Sequence, residues 1–274
     1  MSLVSEVFTA EKDDHVATLW LDRPEKRNAM GTAFWNDLPR LVEELDADPE
    51  VRCILLAARG KAFTVGLDLV EFGGILGDGS GTKSQAQRAQ SLHREVRRLQ
   101  ASISCLEQTD KPVIAAIHGW CIGGGIDLIT AADIRLASSD AVFSVRETKI
   151  AIVADVGTLQ RLPRIVGPGH AAELVYTGKD FDAAEAERVG LINRVYDSAE
   201  TLLSEARQMA ADIAANAPLT VQGAKHVMRR GRDMSVEDSL EYVAVWNSAN
   251  LRSNDLNEAM AAFLERRPPN FSGS

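Results

Sequence analysis

The chain has 274 residues, of which 45% are hydrophobic and 25% are charged. This composition excludes a disordered polymer and is typical of a soluble globular protein with a large apolar core. The net charge of −9 is a poor match to nucleic acid, and no apolar run is long enough to cross a bilayer, so we expect neither partner.

Four short apolar runs rich in β-branched residues predict buried strands. These runs are residues 16–22, 53–58, 113–119 and 133–138. Between the first two, residues 32–48 repeat apolar side chains at helical spacing, and residues 84–109 do so again before the third run. Strands that alternate with helices predict an α/β fold.

Strand signals fade after Pro168, and the remaining chain reads as a series of helices, one of them over residues 199–217. We therefore predict a core over residues 1–198 and a helical oligomerisation region over residues 199–274. The glycine-rich stretch 73–84 is interpreted as a loop, because its spacing does not fit a phosphate-binding Walker motif.

The cysteines Cys53, Cys105 and Cys121 show neither disulfide nor zinc-ligand spacing, which favours a reducing compartment. The first residues lack the order of a signal peptide, and the final NFSGS is not a peroxisomal address. We therefore expect a cytoplasmic protein. The five histidines never fall at paired ligand spacing, so no metal site is predicted.

Two glycine-containing turns are candidates for binding a negative charge through the backbone. Three consecutive glycines, 123–125, lie between a predicted strand and an apolar helix, where N–H groups are unpaired and the helix dipole is positive. The turn Val65-Gly66-Leu67 follows another strand, and Asp68 is placed to cap what comes next. Close packing of strand and helix is the structural alternative for the glycine triplet.

Several motifs in order resemble the enoyl-CoA hydratase/isomerase (crotonase) family over nearly the whole chain. They are LDRPEKRNAM, GKAFTVGLDL, KPVIAAIHGWCIGGGIDLITAADIRLAS, FSVRETKIAIVADVGTLQRLPRIVG and AFLERRPPNF. The resemblance implies a spiral core of ββα turns with a helical C-terminal trimerisation region, assembled as a homotrimer or a dimer of trimers. It also implies acyl-coenzyme A thioester substrates, with no cofactor beyond the coenzyme A that the substrate carries.

The resemblance further implies an oxyanion hole for the thioester oxygen, formed by the N–H groups of Leu67 and Gly124. The neighbouring residues are then expected to contact the substrate; these are Val65, Gly66, Asp68 and Leu69. Lys26 and Arg27 fall where family members approach the nucleotide end of coenzyme A, although solvated loop charges are the alternative.

Three acids are the candidate catalytic residues. Asp127 and Glu147 match the two glutamates of the family's hydratases, whereas Asp155 is similar to the branch that converts 3,5-dienoyl-CoA to 2,4-dienoyl-CoA. By this analogy Asp155 exchanges the proton at C2, Glu147 exchanges the proton at C6, and Asp127 biases their protonation. The structural alternatives are helix-end stabilisation by Asp127, a surface position for Glu147 and an N-cap role for Asp155.

Two other functions remain open. A 2-enoyl-CoA hydratase would use Glu147 and Asp127 to activate water. A non-enzymatic member would bind RNA through arginine clusters; these are Arg94, Arg97 and Arg98, and Arg229, Arg230 and Arg232.

Overall fold

The computed structural model describes residues 5–76 and 84–274. The strands are β1 (Phe8–Asp13), β2 (Val16–Leu21), β3 (Cys53–Ala58), β4 (Ala62–Thr64), β5 (Val113–Ile117), β6 (Trp120–Ile122), β7 (Ile134–Ser138), β8 (Val142–Ser144), β9 (Phe181–Asp182) and β10 (Arg194–Tyr196). The helices are α1 (Thr32–Ala47), α2 (Leu69–Leu76), α3 (Gln85–Gln108), α4 (Gly124–Thr130), α5 (Thr158–Val166), α6 (Pro168–Thr177), α7 (Ala183–Arg188), α8 (Ala199–Ala214), α9 (Pro218–Gly231), α10 (Val236–Asn250) and α11 (Asn254–Glu265). Short 3₁₀ turns cover Pro24–Lys26 and Glu147–Ile150.

The strands form two sheets that advance together as a spiral. The larger sheet has the order β1-β2-β3-β5-β7-β10, and the smaller has the order β4-β6-β8-β9. Strands β3, β5 and β7 pair in parallel, and so do β4, β6 and β8. Strands β3, β5 and β7 are thus each followed by a short strand and then a helix. This repeat confirms the predicted α/β spiral of ββα turns, and the four predicted strands correspond to β2, β3, β5 and β7.

Strand β3 shows why the central strands are continuously apolar. Ile54 and Leu56 belong to the core that includes α1, whereas Cys53 and Leu55 belong to a second core beneath α8. Successive side chains of a strand point to opposite faces, so a sheet covered on both sides needs apolar residues at every position. The predicted helices at 32–48 and 84–109 are confirmed as α1 and α3, with Ser84 capping α3.

The loop predicted for residues 73–84 is wrong at both of its ends. Helix α2 continues to Leu76, and Ser84 is the N-cap of α3, while residues 77–83 lie outside the described residues. Asp68 accounts for the first difference, because its carboxylate accepts the N–H groups of Val70 and Glu71 and starts a helix before the glycines.

Short strands were missed in two places. Strands β4, β6 and β8 have three residues each, which is too short for a period of two to be recognised. Strands β9 and β10 lie beyond Pro168, where no strand was predicted. Strands β4, β6, β8 and β9 make up the whole smaller sheet, and β10 forms one edge of the larger sheet.

The C-terminal helices differ in how they are packed. Helix α8 ends at Ala214 rather than 217 and packs on the large sheet, where Ala206 and Ala210 are fully buried. Helix α10 packs against α9 and buries no residue of its own. The division at residues 198 and 199 stays a prediction. None of the helices within the described ranges combines the length and the apolar character that crossing a bilayer requires.

Candidate active site

Two backbone turns from successive repeats meet at the ends of β4 and β6. Gly66 has φ +79°, and a Cβ atom at this position would lie 2.7 Å from the Ile122 carbonyl oxygen and 3.2 Å from the Gly124 nitrogen. No side chain fits in this space. Glycine is required at position 66 both by the backbone conformation and by the close approach of the two turns.

The backbone groups next to the Leu67 N–H already have hydrogen-bond partners, whereas the N–H groups of Leu67 and Gly124 have none among the described residues. Met30 N–H donates to the Gly66 carbonyl at 2.8 Å, and Asp68 N–H donates to the Met30 carbonyl at 3.1 Å. Gly124 is the first residue of α4, so its N–H has no helical carbonyl one turn earlier. Within residues 5–76 and 84–274, neither N–H donates a hydrogen bond, and their joint use as an oxyanion hole stays a prediction.

Glu147 lies beside the second turn. Its Oε1 atom is 3.5 Å from the place where a Cβ on Gly123 would be, and its Oε2 atom is buried without a hydrogen-bond partner among the described residues. Burial raises the pKa of Glu147, and the charge on Asp155 raises it as well. A buried carboxyl oxygen without a donor is costly when ionised, which favours the protonated acid.

Asp127 is 1% exposed and reaches across to the start of α5. Its Oδ1 atom accepts the Thr158 N–H at 2.6 Å. Burial raises the pKa of Asp127 to about 7, and the charge on Glu147 contributes to the rise. The Asp127 carboxyl group therefore holds the N-terminus of α5. Asp127 also lies in the first turn of α4, so the alternative in which it stabilises the end of its own helix stays a prediction.

Asp155 lies in the turn before α5, and its side chain is exposed in the single chain. Partial burial raises its pKa, and the Gln100 amide donates to its carbonyl oxygen at 2.6 Å. Gly157 is the N-cap of α5, so the alternative in which Asp155 caps this helix is wrong. The segment between Glu147 and Asp155 is a short 3₁₀ turn followed by irregular chain rather than an α-helix, and the charge on Asp155 raises the pKa of Glu147.

Asp68 has a structural role that the sequence predicted. It caps α2 and forms an ion pair with Arg23 at 3.1 Å. Although burial opposes ionisation, the N–H groups of Glu71 and Val70 and the charge of Arg23 hold the pKa of Asp68 below its usual value. Leu69 is 55% exposed at the start of α2. Substrate contacts of these residues stay predictions.

Lys26 and Arg27 are exposed at the end of the first 3₁₀ turn. The Arg27 carbonyl accepts the Val65 N–H at 3.2 Å, which joins this segment to the first backbone turn. The two cations therefore lie on a segment bound to the turn that carries Leu67. Their contact with a phosphate stays a prediction.

Sequence reasoning missed four residues that support this site. Met30 packs its sulfur where a Cβ of Gly124 would lie, at 2.9 Å, and Thr158 holds Asp127. Gln100 and Arg161 contact the turn that contains Asp155. Thr158 and Arg161 lie in the GTLQRLP motif, so the sequence offered a signal for these two residues. Gln100 lies on a polar helix face, where no pattern in the sequence indicated a role.

Residues 11–274 match the enoyl-CoA hydratase/isomerase family, and the chain belongs to this family. Among curated relatives, Delta(3,5)-Delta(2,4)-dienoyl-CoA isomerase, mitochondrial, of Dictyostelium discoideum is 47% identical, with 95% of this chain and 89% of the relative covered. The peroxisomal protein of the same name from Arabidopsis thaliana is 44% identical, with 97% and 96% covered. A crystal structure of an enoyl-CoA hydratase from Bacillus anthracis aligns with a TM-score of 0.89 at 29% identity, covering 98% of this chain and 100% of that one.

Proposed function

We propose that this protein converts a 3,5-dienoyl-CoA thioester to the 2,4-dienoyl-CoA isomer. The observation that carries the proposal is the pair of carboxyl groups Glu147 and Asp155: Glu147 lies against the Gly123 turn with Oε2 buried and without a partner among the described residues, and the charge on Asp155 raises its pKa. The two relatives named as dienoyl-CoA isomerases support the same reaction.

The oxyanion hole of the proposed reaction consists of the Leu67 and Gly124 N–H groups. Removal of a proton from C2 places negative charge on the thioester oxygen, and two donors aimed at that oxygen stabilise the dienolate. Losing one such donor typically costs about 3 kcal/mol of barrier lowering. The positive φ angles of Gly66 and Gly123 and the close approach of Gly66 to the second turn support this role.

The two carboxyl groups then divide the proton transfers. Asp155 takes the proton from C2, the electron pair spreads over the conjugated chain, and Glu147 gives its proton to C6, so the double bonds move from C3 and C5 to C2 and C4. Exchange of protons with water restores both acids. The deeper burial of Glu147 supports this assignment, because burial favours the protonated form that must donate.

The reaction changes no net oxidation state, so it requires no cofactor beyond the coenzyme A of the substrate. Lys26 and Arg27 are proposed to approach its phosphate groups, since both cations are exposed near the first turn. Val65, Gly66, Asp68 and Leu69 would line the path from that end to the thioester.

Hydration of a 2-enoyl-CoA is the second candidate, because Asp127 and Glu147 are close enough for their charges to interact. However, one oxygen of Asp127 already accepts the Thr158 N–H, which leaves less capacity to orient a water. Purified protein supplied separately with a 3,5-dienoyl-CoA and with crotonyl-CoA distinguishes the candidates. We expect faster conversion of the diene, and brisk hydration without diene conversion would overturn the proposal.

The arginine clusters that could have bound RNA are largely engaged within the chain. Arg98 pairs with Glu95, Arg229 donates to the carbonyls of Glu107 and Gln108, and Arg232 pairs with Glu107. Together with the net charge of −9, these contacts support an enzyme rather than a nucleic-acid-binding protein.

We further propose a homotrimer, or a dimer of trimers, assembled through the C-terminal helices. Large apolar side chains on these helices are exposed in the single chain; they include Leu240, Val245, Met260, Phe263 and Leu264. Burial against another subunit would remove this apolar surface from water. A cytoplasmic location stays a prediction, as the two relatives above are named mitochondrial and peroxisomal.

A further inference from the structure

Arg161 folds back over the turn that leads into α5. Its N–H donates to the Gly157 carbonyl at 3.0 Å, as in the first turn of a helix. Its guanidinium lies so close to Gly157 that a Cβ atom there would be 1.8 Å from Nη1. The φ of +138° already favours glycine, so the backbone conformation and the arginine both exclude a side chain at this position.

The guanidinium of Arg161 is held by α3. Its Nε and Nη2 atoms lie 3.0 Å and 2.9 Å from one oxygen of Glu107, and Nη2 also donates to the Ser104 hydroxyl at 2.9 Å. The Arg161 and Glu107 side chains are 13% and 21% exposed. Arg232 of α9 binds the other oxygen of Glu107, so this carboxylate joins three helices.

The same face of α3 also holds the other end of the turn. Gln100 donates to the Asp155 carbonyl, and positions 100, 104 and 107 fall on one side of a helix. On the opposite side, the Thr158 N–H donates to buried Asp127. Residues 155–158 are therefore fixed between α3 and α4, with Asp155 at the start of the fixed segment.

We propose that Arg161, clamped by Glu107, is a positioning residue that sets the turn 155–158 against Asp127 and so places the Asp155 carboxylate for proton transfer. This inference rests on the proposed function for its catalytic consequence. The effect of Arg161 on Asp127 does not depend on the reaction and can be tested without substrate. Arg161 itself is not proposed to touch the acyl group.

The charges around Asp127 define the expected effect of losing this arginine. Glu147 raises the pKa of Asp127, whereas Arg161 lowers it. Glu107 on α3 and Arg232 on α9 face Arg161 and partly offset each other's charge. Removing the Arg161 charge should therefore move the pKa of Asp127 above about 7.

The test compares Arg161→Gln, Arg161→Lys and Arg164→Gln. Arg164 is the matched control, because it lies on the same helix and its ion pair with Asp233 is largely exposed. Infrared difference titration follows the protonated carboxyl band of Asp127, which Asp127→Asn identifies. We expect the midpoint to rise in R161Q, to return toward the wild-type value in R161K, and to stay unchanged in R164Q.

Kinetics with the dienoyl thioester test the catalytic consequence. We expect R161Q to lower kcat by about tenfold while KM stays within about twofold of the wild-type value. R161K should recover only part of the lost kcat, because lysine keeps the charge but not the planar guanidinium. An unshifted titration, or equal effects in R164Q, would overturn the inference. Because the titration needs no substrate, failure of the isomerase proposal would still leave that shift visible.

Glu107→Gln provides a second variant in case R161Q does not fold. It retains the Arg161 charge and weakens the clamp, so kcat should fall while the Asp127 midpoint moves little. Unchanged kcat in E107Q, with the protein folded, would contradict the positioning role.

Discussion

Glu147 and Asp155 are both carboxyl groups, but their surroundings differ. Glu147 has a buried oxygen that finds no hydrogen-bond partner in the part of the chain that the structure describes, whereas the Asp155 side chain reaches solvent in the single chain. Because desolvation penalises the ionised form, Glu147 is the better proton donor and Asp155 the better acceptor. The sequence alone left this order open, since burial depends on how the chain turns after the 3₁₀ segment at residues 147–150.

Leu67 tests whether catalysis depends on a backbone donor. Leu67→Ala keeps the N–H and should leave kcat within an order of magnitude of the wild type. Leu67→Pro removes the N–H and should raise the barrier by roughly 3 kcal/mol. Steady-state kinetics of both variants make the comparison, with circular dichroism as the folding control. Equal losses in both variants would argue against the oxyanion-hole assignment.

Asp127 should make stability depend on pH in a defined direction. Its pKa is about 7 in the fold and 3.8 in an ordinary aspartate, so between these values the unfolded chain has lost a proton that the folded chain keeps. The free energy of unfolding should therefore fall as pH rises through this window.

Asp127→Asn removes this titration and keeps an oxygen for the Thr158 N–H. Urea denaturation of both proteins at several pH values isolates the contribution of Asp127, because all other titratable groups are the same in the wild type and the variant. The variant should gain stability relative to the wild type as pH rises, by on the order of a few kcal/mol. A difference that is independent of pH would refute the raised pKa.

The elements of the fold that were predicted are those with a clear apolar pattern, whereas β1, which is as long as β2 but mostly polar, was missed. Helices α1 and α3 and strands β2, β3, β5 and β7 carry clear patterns, whereas strands of three residues depend on neighbours far along the chain. Glycine composition predicted a loop where Asp68 starts a helix, because a local cap outweighed the weak helix preference of Gly73. Residues 155–158 are held by contacts with α3 and α4, which are too distant in sequence for a local pattern to predict these contacts.

Helix α2 offers a test at the scale of an element. Asp68→Ala removes both the cap and the Arg23 ion pair, and should lower the free energy of unfolding by about 1 kcal/mol. Asp68→Asn retains a capping oxygen and should lose less. Thermal or urea unfolding gives the comparison, and an asparagine variant as unstable as the alanine variant would assign the effect to the ion pair instead.

The molecule as a whole carries apolar surface on its last helices that the described chain leaves exposed. Phe263 and Leu264 are 78% and 76% exposed on α11. Side chains of this size are seldom left in water together unless another surface covers them. This exposure is consistent with assembly, which both the helical pattern after Pro168 and the resemblance to the family predicted.

Phe263→Ser should weaken assembly by at least about tenfold in the dissociation constant, since burying a phenylalanine contributes more than about 1.4 kcal/mol. Tyr176→Ser is the control, because Tyr176 is equally exposed but lies on α6. Sedimentation velocity over a range of concentrations measures both. A wild-type monomer at micromolar concentration, or equal weakening by both substitutions, would contradict assembly through the C-terminal helices.

Asp155 is the acid that distinguishes diene isomerisation from hydration most directly. Asp155→Asn keeps the shape of the side chain and removes its basicity, and the direct measurement is the rate of 3,5-dienoyl-CoA conversion by this variant and the wild type. We expect at least about a 100-fold loss, with any hydration of crotonyl-CoA reduced much less, and with Glu147→Gln impairing both reactions. Undiminished diene conversion in D155N would contradict the isomerase mechanism.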